Sequence, residues 1–360
     1  DSGRLSAEFR KVLSQAANIA VELATGSVPR RKQERIIKAF ALDAKQVREL
    51  KLYSRLNLDD LTSITDKQAR ALVKAPAELH LNGLRSVTDK QAELLGRNGT
   101  LYLKGLRALT KEQVKSLSKV EHLLDLSGLS FITNGQAESL GQVEYLYLNG
   151  LGTITEQQLK YLGRVRCLQL NALTEISDQQ AVDLKSVRIL HLNGLTSITH
   201  LQAVQLGRGG VRHFNGLRTL TTQQADGLSH VEYSLELNGL SSITQEIAQC
   251  LGKVRNVSLN GLTTIADKPA EYLAKVAYLE LNGLKSITDQ QAESLGNVPY
   301  LELNSLDSIT DAQANSLSKT KRLFLKGLSQ VSDTQAERLA KIDKLFIPPV
   351  FRKRIDQYRQ

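Results

Sequence analysis

The chain has 360 residues, 41% of them hydrophobic and 23% charged. No apolar run approaches the roughly 20 residues of a membrane helix, so the sequence is expected to form a soluble, ordered protein without a membrane span. The net charge is +10, but most basic residues are scattered. The denser groups, "RRK" with Arg35 and Lys38 and "FRKR" at residues 351–354, read as solvated end caps, and nucleic acid is not the expected partner. Cys167 and Cys250 show neither CxxC nor zinc spacing, which excludes a disulfide framework. Methionine is absent, position 1 included, which points to a processed, trimmed or engineered product.

Residues 1–50 read as a helical N-terminal cap with a degenerate first repeat. Leu5, Phe9, Val12, Leu13, Ala16, Ile19, Ala20 and Leu23 share one helical face that ends at Gly26, and a second helix is expected from Pro29 to Phe40. Residues 51–347 repeat. Aligned on the second leucine of "LxLNGL", 14 anchors run from Leu58 to Ile347, 22 residues apart ten times and 23 residues apart three times, giving about 13 units. A fixed period of this size signals a solenoid rather than a closed globule.

Within one unit, Val276 to Leu295, "VAYLEL" alternates with period two and reads as a short strand with Leu279 and Leu281 inward. Asn282 and Gly283 turn the chain, Leu284 and Ile287 re-enter the core, and "TDQQAESL" starts a helix that buries Ala292 and Leu295. Thr288 and Gln291 form a capping box, in which the hydroxyl and the amide each satisfy a first-turn N–H. The same pair occurs in 11 of 13 units and fails at Thr244 and Ala266.

The run "LxLxxLxxITDxxAxxL" resembles the cysteine-containing class of leucine-rich repeats, and more closely the "LNGLTSITDxQAxxL" arrays of planctomycete-type bacteria. The resemblance implies an α/β solenoid: a leucine-rich-repeat horseshoe with a concave parallel β-sheet and convex short helices. It also implies a bacterial protein, exported or in the cell envelope. Leu84, Leu151, Leu195 and Leu284 stand where that family places Cys or Asn, so the buried amides there need other partners. The Asn before each Gly, such as Asn193 or Asn282, is the candidate. Residues 348–360 read as a C-terminal cap or tail, with Pro348 and Pro349 ending the strand pairing.

No phosphate loop, GxSxG, HExxH or calcium loop is present, so no catalytic residues and no cofactor are expected. The residues between the core leucines line up across the expected concave face and vary while the frame repeats. A partner surface is therefore expected at Tyr102, Tyr145, Tyr147, Gln169, His191, His213, Glu236, Tyr278, Glu280, Tyr300 and Glu302. Ordinary strand-face packing is the competing reading for the Tyr102, Tyr145 and Tyr147 strip, and a solvated face for the Tyr278–Glu302 patch. His191, His213 and Glu236 could in principle hold a divalent metal, but an exposed histidine pair is the default reading.

These features point to a non-enzymatic recognition scaffold that binds a protein or peptide on its concave face. The alternative is a structural protein that self-assembles in a surface layer, filament or envelope. One stretch, "GRGGVRHFNGLRTL" at residues 207–220, departs from the frame because Arg212 stands at a core leucine position. Since a buried unpaired Arg is costly, Val211 is expected to turn inward and Arg212 to bulge out, opening an irregular zone that extends to about Pro269.

Overall fold

The computed structural model describes residues 55–73 and 78–359, so the expected N-terminal cap lies outside the described residues. The chain divides into two compact units, the first ending at Gly128 and the second beginning at Leu129. In the first, β1 (Arg55–Asn57), α1 (Asp66–Ala71), β2 (Glu78–His80), α2 (Asp89–Leu95), β3 (Thr100–Tyr102), α3 (Lys111–Leu117) and β4 (Leu123–Asp125) alternate.

The second unit opens with α4 (Asn134–Leu140), β5 (Tyr145–Tyr147), α5 (Glu156–Leu162), β6 (Cys167–Gln169), α6 (Asp178–Leu184), β7 (Ile189–His191) and α7 (His200–Leu206). It continues through β8 (Val211–His213), α8 (Thr222–Leu228), β9 (Ser234–Glu236), α9 (Gln245–Leu251), β10 (Asn256–Ser258), α10 (Asp267–Leu273) and β11 (Tyr278–Glu280). It closes with α11 (Asp289–Leu295), β12 (Tyr300–Glu302), α12 (Asp311–Leu317), β13 (Arg322–Phe324), α13 (Asp333–Leu339), β14 (Lys344–Phe346) and α14 (Pro349–Asp356).

Within each unit every strand pairs in parallel with its chain neighbours, and the sheet stays open rather than closing into a barrel. Each strand has three residues, so its middle side chain points inward and the flanking two point out. In β7, for example, Leu190 is fully buried between half-buried Ile189 and His191. The anchor leucine, the leucine after the turn, and the helical Ala and Leu complete each coil's share of the core, as Leu281, Leu284, Ala292 and Leu295 do.

Three hydrogen-bonded ladders tie coil to coil. From Leu170 to Leu325, the amide of the residue after each anchor donates to the Asn Oδ1 of the coil before it. In the second unit this line runs unbroken from Asn149 through Asn171, Asn193, Asn215, Asn238, Asn260, Asn282 and Asn304 to the amide of Lys326, at 2.8–3.2 Å. The leucines after the turn are thus relieved of that task, and Leu151, Leu195 and Leu284 are completely buried. The Gly that follows the Asn serves packing between coils as well as the turn: a Cβ on Gly194 would stand 2.4 Å from the Asn171 carbonyl oxygen.

The second ladder comes from the capping boxes, which form at all 11 expected helix starts and fail at Thr244 and Ala266. The box Gln accepts from its own N-cap amide through Oε1, and its Nε2 then donates to the preceding coil. Gln291 reaches the Ile265 carbonyl at 2.7 Å and Gln313 the Ile287 carbonyl at 2.9 Å. Glu would satisfy the box equally well, but it has no proton for that carbonyl. The third ladder joins an N-cap hydroxyl to the Asp that opens the preceding helix, as Thr310 Oγ1 does to Asp289 at 3.0 Å.

Arg212 corrects the sequence reading. Strand β8 has no bulge: Arg212 stands in register between Leu190 and Leu235 and is 0% exposed, while Val211 faces out. A guanidinium is tolerated there because backbone carbonyls surround it. Nε donates to Leu206 O and Nη1 to Val187 O, both at 2.7 Å, with further donation to Val211, Arg188 and Lys185. Leu206 ends α7 and Lys185 caps α6, so the cation also meets the negative ends of two helices. Burial lowers its pKa to about 10, which leaves it charged at neutral pH. A Cβ on Gly209 would lie 1.3 Å from Nη2, so the glycine is the space the guanidinium occupies. The expected irregular zone keeps helix length and strand register, and it departs from the frame at this core residue and at the two missing boxes.

At the C-terminal side, α14 starts with Pro349 in its first turn and buries Ile355. Arg354 donates to the Val331 carbonyl, and Arg359 to that of Ile342 at 3.2 Å.

Two substitution sets test this frame. Arg212→Ala strands several buried carbonyls and opens a cavity, and is expected to destabilise by ~3 kcal/mol or more in chemical unfolding. Gly209→Ala is expected to be severe beside Arg212 and nearly silent in an Arg212→Leu background, a non-additivity that a double-mutant cycle measures. Gln291→Glu keeps its capping box but sets a carboxylate against the Ile265 carbonyl. Its melting temperature should fall, whereas Gln290→Glu, one residue earlier and exposed, should leave melting unchanged.

Candidate functional site

In the second unit the outward side chains of β5–β9 form two rows. One holds Tyr145, Cys167, Ile189, Val211 and Ser234, and the other Tyr147, Gln169, His191, His213 and Glu236. The first row is apolar up to Ser234 and half-buried except for Cys167, which is buried. Burial pushes the Cys167 thiol up to about 11, so it is a packing group rather than a nucleophile at neutral pH. The Arg166 guanidinium lies 5.7 Å from the Tyr145 ring centre and pairs with Glu144 at 2.7 Å.

The second row is locked sideways. Gln169 Oε1 accepts from Asn149 Nδ2 at 2.9 Å. The His191 and His213 rings stack at 3.8 Å, 5° from parallel, and His213 Nδ1 meets Glu236 Oε2 at 2.7 Å. Asn215 Nδ2 donates to the same carboxylate at 3.2 Å. Parallel stacked rings offer their nitrogens side by side rather than towards one point, and among the described residues no group of three His, Cys, Asp or Glu is placed to hold a metal.

Burial, with the neighbouring His213 charge, pushes the His191 pKa down to about 4, so this imidazole is neutral at pH 7. For Glu236 burial acts to raise the pKa, but the His213 hydrogen bond and charge outweigh it and hold the carboxyl below its ordinary range.

Strands β10–β12 carry the carboxylate patch. Ser258 Oγ lies 2.8 Å from Glu280 Oε2, which also accepts from Asn260 Nδ2 at 2.9 Å. Tyr278 donates its hydroxyl to Glu302 Oε1 at 2.5 Å, while Asn282 and Asn304 hold Oε2 at 3.2 and 3.1 Å. Burial and the Glu302 hydrogen bond push the Tyr278 phenol well above its ordinary pKa. Tyr300 stays exposed beneath the Arg322 guanidinium, 5.0 Å from the ring centre.

The first unit has its own outward face. Tyr102 stacks on His80 at 4.2 Å, and His80 is buried to 8% exposure beneath Arg55 and Glu78. Asp125, at an outward position of β4, is completely buried beside Lys104 at 3.4 Å. The period-two pattern does not reveal this burial.

The sequence reading gave the Asn residues to the turns and missed their second task. Their Nδ2 groups orient the carboxylates of Glu236, Glu280 and Glu302. The available signal was the spacing itself, since each Asn lies two residues after an outward position.

No protein-family model matches this chain, and no curated protein matches it in sequence. Solved structures do match in fold. A leucine-rich-repeat protein of Leptospira interrogans aligns with a TM-score of 0.50 at 19% identity, over 89% of this chain and 97% of its own. TLR13, solved with the single-stranded RNA ssRNA13, aligns at 0.54 and 18%, over 83% of this chain and 47% of its own. Toll of Drosophila, solved with Spätzle, aligns at 0.51 and 14%, over 76% of this chain and 40% of its own. The chain thus spans less than half the length of the last two. With strands and helices alternating in an open parallel array, the fold is that of a leucine-rich-repeat solenoid.

The His191 environment predicts an acid-sensitive fold. Between its ordinary 6.5 and about 4 the unfolded chain binds a proton at His191 that the folded chain refuses, so stability falls as pH falls through that window. Glu236 acts in the same direction lower down, because its stabilising ionised form is lost below the ordinary 4.5. Thermal unfolding from pH 7 to 4 should fall more steeply for the native chain than for His191→Asn, with the difference gathered in the upper window.

Proposed function

We propose that this protein is a non-enzymatic recognition scaffold that takes a protein or peptide on the outward face of β5–β9. One observation carries the reading: an apolar row, half-buried Tyr145, Ile189 and Val211 with buried Cys167, lies beside a polar row whose side chains are already fixed by stacking and hydrogen bonds. Apolar groups flanked by satisfied polar ones form the usual composition of a partner surface. Side chains that are fixed before binding lose less freedom on association. Tyr145 is the anchor, with its flat ring backed by Arg166, and His191, His213 and Glu236 form the polar flank. The solved complexes of Toll with Spätzle and of TLR13 with RNA support a recognition role by analogy of fold. Tyr278, Glu280, Tyr300 and Glu302 extend the same face with carboxylates suited to a basic segment of the partner. Tyr102 belongs to the first unit's face and is proposed as a contact there.

The test is affinity capture followed by cross-linking. The native chain should capture a defined partner whose cross-links fall on β5–β9, and Tyr145→Ala/Ile189→Ala should lose it about tenfold or more while melting as before. Capture unaffected by this pair overturns the assignment. Ordered polymers of the purified protein, growing with concentration, would replace it with the self-assembly reading.

A further inference from the structure

The chain's positive charge is concentrated at one end of the second unit. Residues 319–359 hold 11 Lys and Arg against 4 Asp and Glu, a net +7 out of the chain's +10. On the outward face of β12–β14 this charge is interleaved with aromatic rings. Register places Tyr300, Arg322 and Lys344 in one row and Glu302, Phe324 and Phe346 in the next.

Phe324 and Phe346 stack at 4.2 Å, 3° from parallel. Lys326 lies 5.4 Å from the Phe324 ring centre, and Arg322 lies 5.0 Å from that of Tyr300. Phe346 is 37% exposed. Lys321, Lys326 and Lys344, in or directly beside β13 and β14, are exposed. Several other local charges are already engaged, Arg354 with Asp333 and Arg359 with Asp356.

We propose that the β12–β14 face binds single-stranded nucleic acid, a base stacking on the exposed Phe346 ring and phosphates lying along Lys344, Arg322 and Lys321. The cation row and the ring row are one two-residue strand step apart, roughly 6.6 Å, which suits the reach of a nucleotide from base to phosphate. Flat aromatic faces beside a basic track are how single strands are bound without sequence reading, since every base offers a π-face. An acidic peptide would satisfy the charges but has no use for a parallel ring stack. A duplex keeps its bases inside and would reach the lysines alone. Glu302, held by Tyr278 and the Asn ladder, bounds the platform on its inner side. The charge run at residues 351–354, read from sequence as a solvated cap, contributes exposed Arg352 and Lys353 to the same end of the chain.

The test is fluorescence anisotropy of the full chain with three labelled probes: a single-stranded oligothymidylate of about 12 nucleotides, the corresponding duplex, and a polyglutamate of equal charge. The single strand is expected to bind most tightly, with an affinity that falls with salt at a log–log slope of about −3, for roughly four phosphate contacts. Phe346→Ala should weaken it about tenfold, Phe346→Tyr should retain it, and Lys344→Glu should weaken it and flatten the salt slope. Tyr145→Ala/Ile189→Ala should leave it unchanged, which separates this site from the partner face on β5–β9. Absence of single-strand binding at low salt, equal binding of duplex or polyglutamate, or an unaffected Phe346→Ala each overturns the proposal.

Discussion

In the second unit, the amide that follows each anchor from Leu170 to Leu325 has its partner outside its own coil. Its acceptor is the Asn Oδ1 of the coil before, and in the second unit eight such bonds in succession run from Asn149 to Lys326. A buried amide left without an acceptor would destabilise each coil by roughly 1–3 kcal/mol. No coil is therefore self-sufficient, and the neighbour's contribution is specific as well as hydrophobic. The box Gln adds a second obligation from the helix side of the coil, donating to a carbonyl about one period upstream. Leucine packing alone would tolerate slippage between coils. Two polar ladders, one on each side of the core, fix the register that the strands display.

The same asparagines connect frame to surface. Oδ1 is committed to the next coil's amide, which fixes the side chain and leaves Nδ2 facing the outward row. There it takes the carboxylates of Glu236, Glu280 and Glu302. The acids on this face are thus positioned by the residue that holds the coils together, and replacing one such Asn would disturb both. His213 completes the arrangement for Glu236, and its stacking partner His191 is neutral because the pair shares a confined space with little water.

What the sequence made legible follows from periodicity. The coil length, the strand and helix positions, the capping boxes and the role of Asn as partner of buried amides could all be read from residues that recur every 22 or 23 positions. The use of Gln rather than Glu in all 11 boxes was equally visible, but its cause lies in the preceding coil, which the local box rule does not consult. Arg212 was misread for a related reason. Its partners are main-chain carbonyls of Lys185, Val187, Arg188, Leu206 and Val211, which leave no trace in a pattern of side chains. Gly209 was the trace, a missing Cβ three residues before the guanidinium that needs its space. The outward row was legible as a list of names, whereas burial within it was not. Asp125 and His80 stand at outward positions yet are buried, which no alternation rule reveals.

A repeated frame with fixed register also changes how the outward face can vary. Because each outward side chain is set by lateral contact with the strands on either side, its chemistry is shared between neighbours. Two imidazoles become a stack, Tyr278 and Glu302 become one hydrogen-bonded pair, and Phe324 with Phe346 becomes a double ring. The unit of surface chemistry is then a pair of adjacent coils rather than a single residue, and the members of such a pair restrain each other. Along the second unit the pairs change character in sequence, from apolar and neutral at β5–β8, through carboxylates at β9–β12, to aromatic and basic at β12–β14. A sheet whose strands stay in register can present these surfaces independently, since exchanging one pair leaves the ladders beneath the others intact.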